Sequence, residues 1–202
     1  MPSIYDLKPA FQNLLRPLVR RMAAAGITAN QVTIAAALLS LLVGLLIWRD
    51  PYSATWLLLV PVVLFVRMAL NAVDGMLARE HAMQSKSGAI LNEVGDVVSD
   101  AALYLPLALI PGVDPLLVCT AVVLALIGEM TGVLGQTIGA SRRYDGPMGK
   151  SDRALWLGLL CLLLGLGLQA GVWTGWFLAA VNLLAAWTIV NRARGALREA
   201  GV

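Results

Sequence analysis

The chain has 202 residues, of which 59% are hydrophobic and 13% are charged, and its mean hydropathy is +0.78. These values exclude an ordinary soluble domain, in which about 25% of the residues are charged. The formal net charge is only +3, and we expect no nucleic-acid partner. The composition therefore predicts an integral membrane protein.

The first 25 residues predict an amphipathic helix that lies in the membrane interface. Its apolar residues recur at steps of three or four: Ile4, Leu7, Phe11, Leu14, Leu15 and Leu18. Lys8, Arg16 and Arg20 lie elsewhere on the helical wheel, which suits a surface rich in anionic lipid. An ordinary amphipathic helix packed on the rest of the protein is the alternative, and both interpretations can hold together.

Six hydrophobic segments follow, each near the ~20 residues that cross a bilayer core. We place them at residues 31–49, 54–79, 87–110, 115–139, 153–171 and 173–193. Basic residues concentrate at both termini and in the loops after the second and fourth segments, so both termini are predicted to be cytoplasmic. The predicted fold is an all-α integral membrane protein with one membrane domain, residues 1–202. It comprises an interfacial helix, 1–25, and a six-helix bundle, 26–202.

Polar residues form stripes on the second and third predicted spans. Asn71 and Asp74 lie three residues apart, whereas Asn92, Asp96 and Asp100 follow one another at steps of four, so each set occupies one helix face. Carboxylates are costly in hydrocarbon unless they meet a cation, a proton or water. Two facing stripes predict an oxygen-lined metal site near the cytoplasmic leaflet.

The stripes carry a recognisable pattern. Residues 71–96 read Asn-Ala-Val-Asp-Gly-Met-Leu-Ala-Arg, eight residues, then Gly-Ala-Ile-Leu-Asn-Glu-Val-Gly-Asp. This resembles the signature of the CDP-alcohol phosphotransferases (CDP-alcohol phosphatidyltransferases), Asp-x-x-Asp-Gly-x-x-Ala-Arg, eight residues, then Gly-x-x-x-Asp-x-x-x-Asp, and it aligns without a gap. The identical positions are Asp74, Gly75, Ala78, Arg79, Gly88 and Asp96. Asn71 stands for the first aspartate and Asn92 for the third, as in a variant branch of the family.

The resemblance implies a role for each signature position. In the family the first and third aspartates bridge two divalent cations, the second ligates one of them, and the fourth ligates the other and is the proposed general base. Carried over by position, the metal ligands are Asn71, Asp74, Asn92 and Asp96, with Asp96 also the catalytic base. The cofactor would be Mg2+ or Mn2+, as one or two ions. One tightly bound ion is favoured, because an amide oxygen ligates a hard cation without supplying charge.

Four charged neighbours are candidate auxiliary residues. Glu93 and Asp100 could restore negative charge through a shifted ligand shell. Arg67, one turn before Asn71, needs a partner in mid-span, and Asp100 or Glu129 are the candidates. Arg67 could also substitute electrostatically for a lost cation. The sequence leaves these alternatives open.

The resemblance also implies the reaction, in which an alcohol hydroxyl attacks the diphosphate of a CDP-alcohol and CMP is released. The residues expected to bind the CDP-alcohol are Thr28, Asn30, Asp74, Gly75, Arg79 and Ser85. Gly75 would let the nucleotide approach the helix backbone closely. Thr28 or Asn30 could instead simply cap the first span.

Residues 141–153 predict a turn-rich cytoplasmic loop with four cations. The loop could determine topology, or it could bind a phosphorylated acceptor, since arginine suits bidentate contact with phosphate. The acceptor-binding candidates are Arg142, Arg143, Lys150 and Arg153.

Together these observations predict an enzyme of phospholipid biosynthesis in a bacterial inner membrane, homodimeric by resemblance, with its active site on the cytoplasmic side. It would transfer a phosphatidyl group from CDP-diacylglycerol to a polar alcohol, phosphorylated if the loop cations bind it. One alternative is a family member without turnover that binds or transports a liponucleotide. Another is a hydrolase, with water as the acceptor.

Overall fold

The structure, a computed structural model, describes residues 4–201 and the side chains of residues 9–201. The side chains of Ile4, Leu7 and Lys8, part of the predicted surface helix, lie outside this range. The described residues form α1 (Ile4–Ala24), α2 (Ala29–Arg49), α3 (Ala54–Glu80), α4 (Lys86–Tyr104), α5 (Pro115–Leu134), α6 (Lys150–Gly165) and α7 (Val172–Glu199). Short 3-10 helices, Leu105–Leu109 and Gly135–Ile138, extend α4 and α5. The all-α prediction is confirmed.

Four helices in the described part of the chain are long and apolar enough to cross a membrane: α2, α3, α5 with its 3-10 extension, and α7. α4 has 19 residues but carries Lys86, Glu93, Asp96 and Asp100, and α6 has 16 residues, fewer than the ~20 that span a bilayer core. The apolar helices support an integral membrane protein. The count of six spans and the single domain stay predictions.

α1 packs against α3. The rings of Phe11 and Phe65 meet edge to face with centroids 6.3 Å apart, and Val19 is fully buried in a cluster that includes Leu77. Leu14 remains 76% exposed. The contacts support an amphipathic helix packed on the bundle, whereas its placement in a membrane interface stays a prediction.

α2 lies against both α3 and α4. The approach to α4 is closest at Gly44, where an added Cβ would lie 2.0 Å from the carbonyl oxygen of Ala102. No side chain other than the hydrogen of glycine fits such a separation, so Gly44 permits backbone contact between the helices. α2 therefore contacts both helices that carry the polar stripes.

Polar and apolar residues separate along the bundle. The main buried cluster includes Ile47 near the end of α2, Val60 near the start of α3 and Leu103 near the end of α4. The stripes occupy the opposite parts of α3 and α4, beside the beginnings of α2 and α6. Since burial of apolar surface drives packing, the apolar half holds the helices together while their other ends bring polar side chains into contact.

Candidate active site

Asp74 and Asp96 are brought together from α3 and α4 at the polar end of the bundle. Asp74 is 6% exposed, and its Oδ2 accepts a hydrogen bond from Thr33 Oγ1 at 2.8 Å. Asp96, on α4, is paired with Lys150 from the start of α6. Thr33 lies in the first turns of α2, on the same helix as Asn30.

Lys150 contacts the fourth signature position. Its Nζ lies 2.5 Å from Asp96 Oδ1, and the two side chains are 31% and 19% exposed. Lys150 is the first residue of α6, so the turn-rich loop ends earlier than predicted. The sequence placed Lys150 with the acceptor-binding cations, whereas the structure pairs it with the predicted catalytic base.

The residues expected to bind the nucleotide surround the beginning of α4. Ser85 Oγ accepts a hydrogen bond from the Gly88 N–H at 2.9 Å, and the Asn30 amide oxygen would lie 2.7 Å from a Cβ on Gly88. The Arg79 guanidinium covers Gly75, where an added Cβ would lie 3.0 Å from Nη2. A helix N-terminus favours anions, so this arrangement suits a diphosphate.

Thr28 caps α2. Its Oγ1 accepts a hydrogen bond from the Gln31 N–H at 3.3 Å, and its own N–H donates to Gln31 Oε1 at 2.9 Å. This reciprocal pair is a capping box. The N-cap interpretation of Thr28 is confirmed, and nucleotide contact by Thr28 stays a prediction.

Asp100 is held by two buried arginines. Its Oδ1 accepts from Arg67 Nη2 at 2.9 Å and its Oδ2 from Arg153 Nη2 at 3.0 Å. Arg67 and Arg153 are each 3% exposed. Of the two partners considered for Arg67, the structure selects Asp100. Because both oxygens of Asp100 are occupied by guanidinium groups, Asp100 does not supply a shifted metal shell.

Glu129 joins the same charges from α5. Its Oε1 lies 2.9 Å from Arg153 Nη2 and 3.4 Å from Arg192 Nη1, and Arg192 also donates to the Gly128 carbonyl at 2.6 Å. We call Arg67, Asp100, Arg153, Glu129 and Arg192 the buried arginine network. The sequence interpretation missed Arg192, although a cation inside a predicted span needs a partner.

The four cations of residues 141–153 do not form one open cluster. Arg142 pairs with Glu93 and lies 3.3 Å from Glu129 Oε2, so Glu93 is paired as well. Arg143 contacts Asp145 at 2.8 Å and also pairs with Glu199. The hydrogen bond from Arg143 lowers the pKa of the Asp145 carboxyl. Arg153 lies on α6 and not in a loop, and it is buried in the arginine network, while acceptor binding by these cations stays a prediction.

A cavity of about 450 Å³ opens between α3 and α6. Its polar end is lined by Arg67, Asn71, Asp100 and Lys150. The remainder of its wall is apolar and includes Phe65, Met68, Leu155, Leu159 and Leu162. Asn71 and Lys150 thus share one wall, and the signature site adjoins an apolar space.

The sequence model of the CDP-alcohol phosphatidyltransferase family matches residues 26–190. The chain belongs to this family. It is 47% identical over 195 residues to the inner membrane protein YnbA of Escherichia coli (strain K12), covering 96% of each chain. It is 32% identical over 103 residues to archaetidylinositol phosphate synthase of Pyrococcus horikoshii, covering 51% of this chain and 52% of that protein. The resemblance predicted from residues 71–96 is confirmed.

Solved structures share the fold of this chain. Phosphatidylinositol phosphate synthase of Mycobacterium tuberculosis with CDP-DAG bound has a TM-score of 0.70 at 18% identity, covering 91% of this chain and 92% of that chain. The same synthase in complex with manganese and citrate gives a TM-score of 0.70 at 18% identity, with coverages of 92% and 88%. The described helices are therefore arranged as in a known member of the fold.

The four signature positions of this chain hold fewer carboxylates than the family signature. Among the side chains that the structure describes, no group of three or more His, Cys, Asp or Glu could hold a metal ion. Asp74 and Asn71, one turn apart, present a carboxylate and an amide oxygen, both of which are ligands for hard cations. One carboxylate oxygen of Asp96 is paired with the ammonium group of Lys150. The residues fit a divalent cation held with less negative charge than four aspartates provide.

Proposed function

We propose that this protein transfers the phosphatidyl group of CDP-diacylglycerol to a polar alcohol with release of CMP, in phospholipid biosynthesis. The observation that carries the proposal is the gapless family signature, whose two retained aspartates are held by described partners, Asp74 by Thr33 and Asp96 by Lys150. The name of the E. coli relative, an inner membrane protein, supports a bacterial inner membrane. The positive-inside rule supports cytoplasmic termini and a cytoplasmic active site.

Asp96 is the proposed general base. Its carboxylate takes the proton of the attacking hydroxyl, whose oxygen forms a bond to the phosphorus of the phosphatidyl group. The bond from that phosphorus to the oxygen of CMP breaks, and CMP leaves with the electron pair. Asp96 suits the role because it is partly exposed, and a positioned carboxylate contributes typically ~10²- to 10⁴-fold to the rate.

The other signature residues bind and orient the liponucleotide. Thr33 fixes Asp74 by its hydrogen bond, and Arg79 faces the phosphates across Gly75. A divalent cation, Mg2+ or Mn2+, would be held by Asn71, Asp74, Asn92 and Asp96 and would polarise the phosphoryl oxygens. The structure of the M. tuberculosis synthase with manganese supports such a cofactor.

A phosphorylated polyol is the proposed acceptor. Arg142 pairs with Glu93 on α4, the helix of Asp96, and its side chain is about one fifth exposed. An arginine in this position suits bidentate contact with a phosphate. Two similar proteins are named for inositol phosphate lipids, which supports this class of acceptor. The homodimer implied by the family is part of the same proposal.

The deciding experiment incubates the purified protein with CDP-diacylglycerol and one alcohol at a time, and follows CMP and the lipid product. Glycerol 3-phosphate, inositol 1-phosphate, inositol, serine and no added alcohol form the panel. We expect a phosphorylated polyol to give both products. CMP without an alcohol would identify a hydrolase, and liponucleotide binding without CMP would identify a binding or transport protein.

Two substitutions test the assigned acids. Asp96→Asn and Asp74→Asn should each lower CMP release by about 100-fold or more, since each removes a preorganised charge at the reacting phosphates. Asp114→Asn is the matched control, because Asp114 caps α5 at the apolar end of the bundle. Unchanged turnover in Asp96→Asn would refute the assigned base.

A further inference from the structure

The four signature positions of this chain hold less charge than the family pattern requires. Four aspartates would balance two divalent cations, but Asn71 and Asn92 leave only the carboxylates of Asp74 and Asp96. Two divalent cations would then place four positive charges against two negative ones. In a low-dielectric site such an excess is costly. The site must therefore bind fewer ions or gain negative charge from elsewhere.

The nearby acids do not supply that charge. Both oxygens of Asp100 are occupied by Arg67 and Arg153, and Glu93 is paired with Arg142. The same contacts exclude Arg67 as the substitute for a lost cation, because its described ion pair is with Asp100. A cation that takes this place has to contact a signature carboxylate directly.

Lys150 is that cation. Among the ion pairs between described side chains, its contact with Asp96 is the one that involves a signature carboxylate. Lys150 and Asn71 both line the cavity between α3 and α6. The ammonium group of Lys150 thus contacts one retained aspartate and opens on the same cavity as one replaced aspartate.

The backbone around Lys150 is anchored on both sides. The Met148 N–H donates to Thr188 Oγ1 at 2.9 Å, and Met148 is 1% exposed. The Gly149 N–H donates to Asp152 Oδ2 at 3.0 Å, which fixes the first turn of α6. The Lys150 side chain therefore extends from a first helical turn whose backbone is fixed by hydrogen bonds.

We propose that the Lys150 ammonium replaces one of the two divalent cations of the family site, so that this protein uses a single divalent cation. The Nζ of Lys150 pairs with Asp96 Oδ1, so its charge lies directly at a retained signature carboxylate. An ammonium group carries half the charge of Mg2+, so it requires fewer carboxylates around it. One divalent cation and Lys150 would place three positive charges against the carboxylates of Asp74 and Asp96, whereas two divalent cations would place four.

Metal binding tests this assignment directly, and it rests on the proposed function only for the identity of the site. The purified protein is titrated with Mn2+ by calorimetry, and the number of ions per chain is checked by electron paramagnetic resonance. We expect one ion per wild-type chain. No ion, or two ions of similar affinity, would overturn the proposal.

Substitutions then test whether Lys150 prevents binding of a second divalent cation. Asn71→Asp with Asn92→Asp restores the signature, and with Lys150 present we expect its second Mn2+ to bind weakly. Adding Lys150→Met should tighten that second ion by at least about tenfold, because a neighbouring positive charge is removed. Lys86→Met, at the exposed start of α4, is the matched control. A change of less than about threefold would refute the role of Lys150.

Two further points make the result of the titrations unambiguous. Lys150→Met in the otherwise unchanged protein should tighten the single ion, so the test survives if the combined variant does not fold. None of these titrations needs an acceptor or turnover. One bound ion without CMP release would refute the transfer reaction and leave the lysine assignment standing, whereas two bound ions with CMP release would do the reverse.

Discussion

Two groups of charged residues lie at the polar end of the bundle, and they differ in the partners that neutralise their carboxylates. In the buried arginine network each carboxylate oxygen of Asp100 faces a guanidinium, and Glu129 contacts two buried arginines. At the signature site Asp74 has a hydroxyl partner, Thr33, and Asp96 has one flexible lysine. Acids that the protein itself neutralises hold helices together. Acids left with weaker partners remain free for a ligand.

The largest expected effect is on stability and comes from breaking the network. Glu129→Gln removes the carboxylate between Arg153 and Arg192, and loss of one partner from a buried ion pair costs about 3–5 kcal/mol. The apparent melting temperature in detergent should fall strongly, whereas Asp74→Asn should change it little. Glu80→Gln, in the exposed pair with Arg16, is the control, since exposed pairs contribute about 0–1 kcal/mol. Equal melting temperatures for Glu129→Gln and the wild type would contradict the stabilising role of the buried arginine network.

A smaller effect, on catalytic activity, should come from changing the orientation of the Asp74 carboxylate while keeping its charge. Thr33→Val keeps the side-chain shape and removes the hydroxyl, and a hydrogen bond to a charged group contributes about 1.5–3 kcal/mol. We expect roughly a 10- to 100-fold decrease in kcat/KM for CMP release. Thr131→Val is the matched control, because its hydroxyl bonds only the carbonyl of Ile127 on its own helix. Activity lost equally in both variants would assign the effect to helix packing.

The smallest effect concerns the loop before α6 and depends on pH. The folded state lowers the pKa of Asp145 below its usual value of 3.8, through the hydrogen bond from Arg143. Its contribution to stability is therefore present above that value and is lost as the pH falls through the lower folded pKa. The difference in melting temperature between wild type and Asp145→Asn should be present at about pH 7 and shrink progressively as the pH falls below 3.8. A difference that grows in acid would contradict the assigned ion pair.

The local spacing of the sequence predicted the helices and their polar faces. Asp74 and Asp96 could be identified because the signature lies within one stretch of chain and helical periodicity fixes which residues share a face. Arg67 could be predicted to need a buried partner because a charge in a span has few alternatives. The cap formed by Thr28 followed from residue type in the same way.

The partner of each charge could not be predicted. Asp100, Glu129 and Glu93 were each available to several arginines, and only the packing of α3, α5, α6 and α7 decides between them. Lys150 was assigned to a loop because residues 141–149 are rich in turn-forming residues, and its place on α6 depends on the contacts of its neighbours. From the sequence, Arg192 was counted with the basic residues that set topology, whereas in the structure it contacts Glu129.

The last residue of α7 is linked to the signature site through the segment before α6. Glu199 accepts hydrogen bonds from the backbone and the hydroxyl of Ser141, each at 2.9 Å, and also pairs with Arg143. The last turn of α7 thus holds the segment that leads into Lys150. Loss of the Glu199 carboxylate would release that segment from α7 and reach the signature site through the backbone before α6.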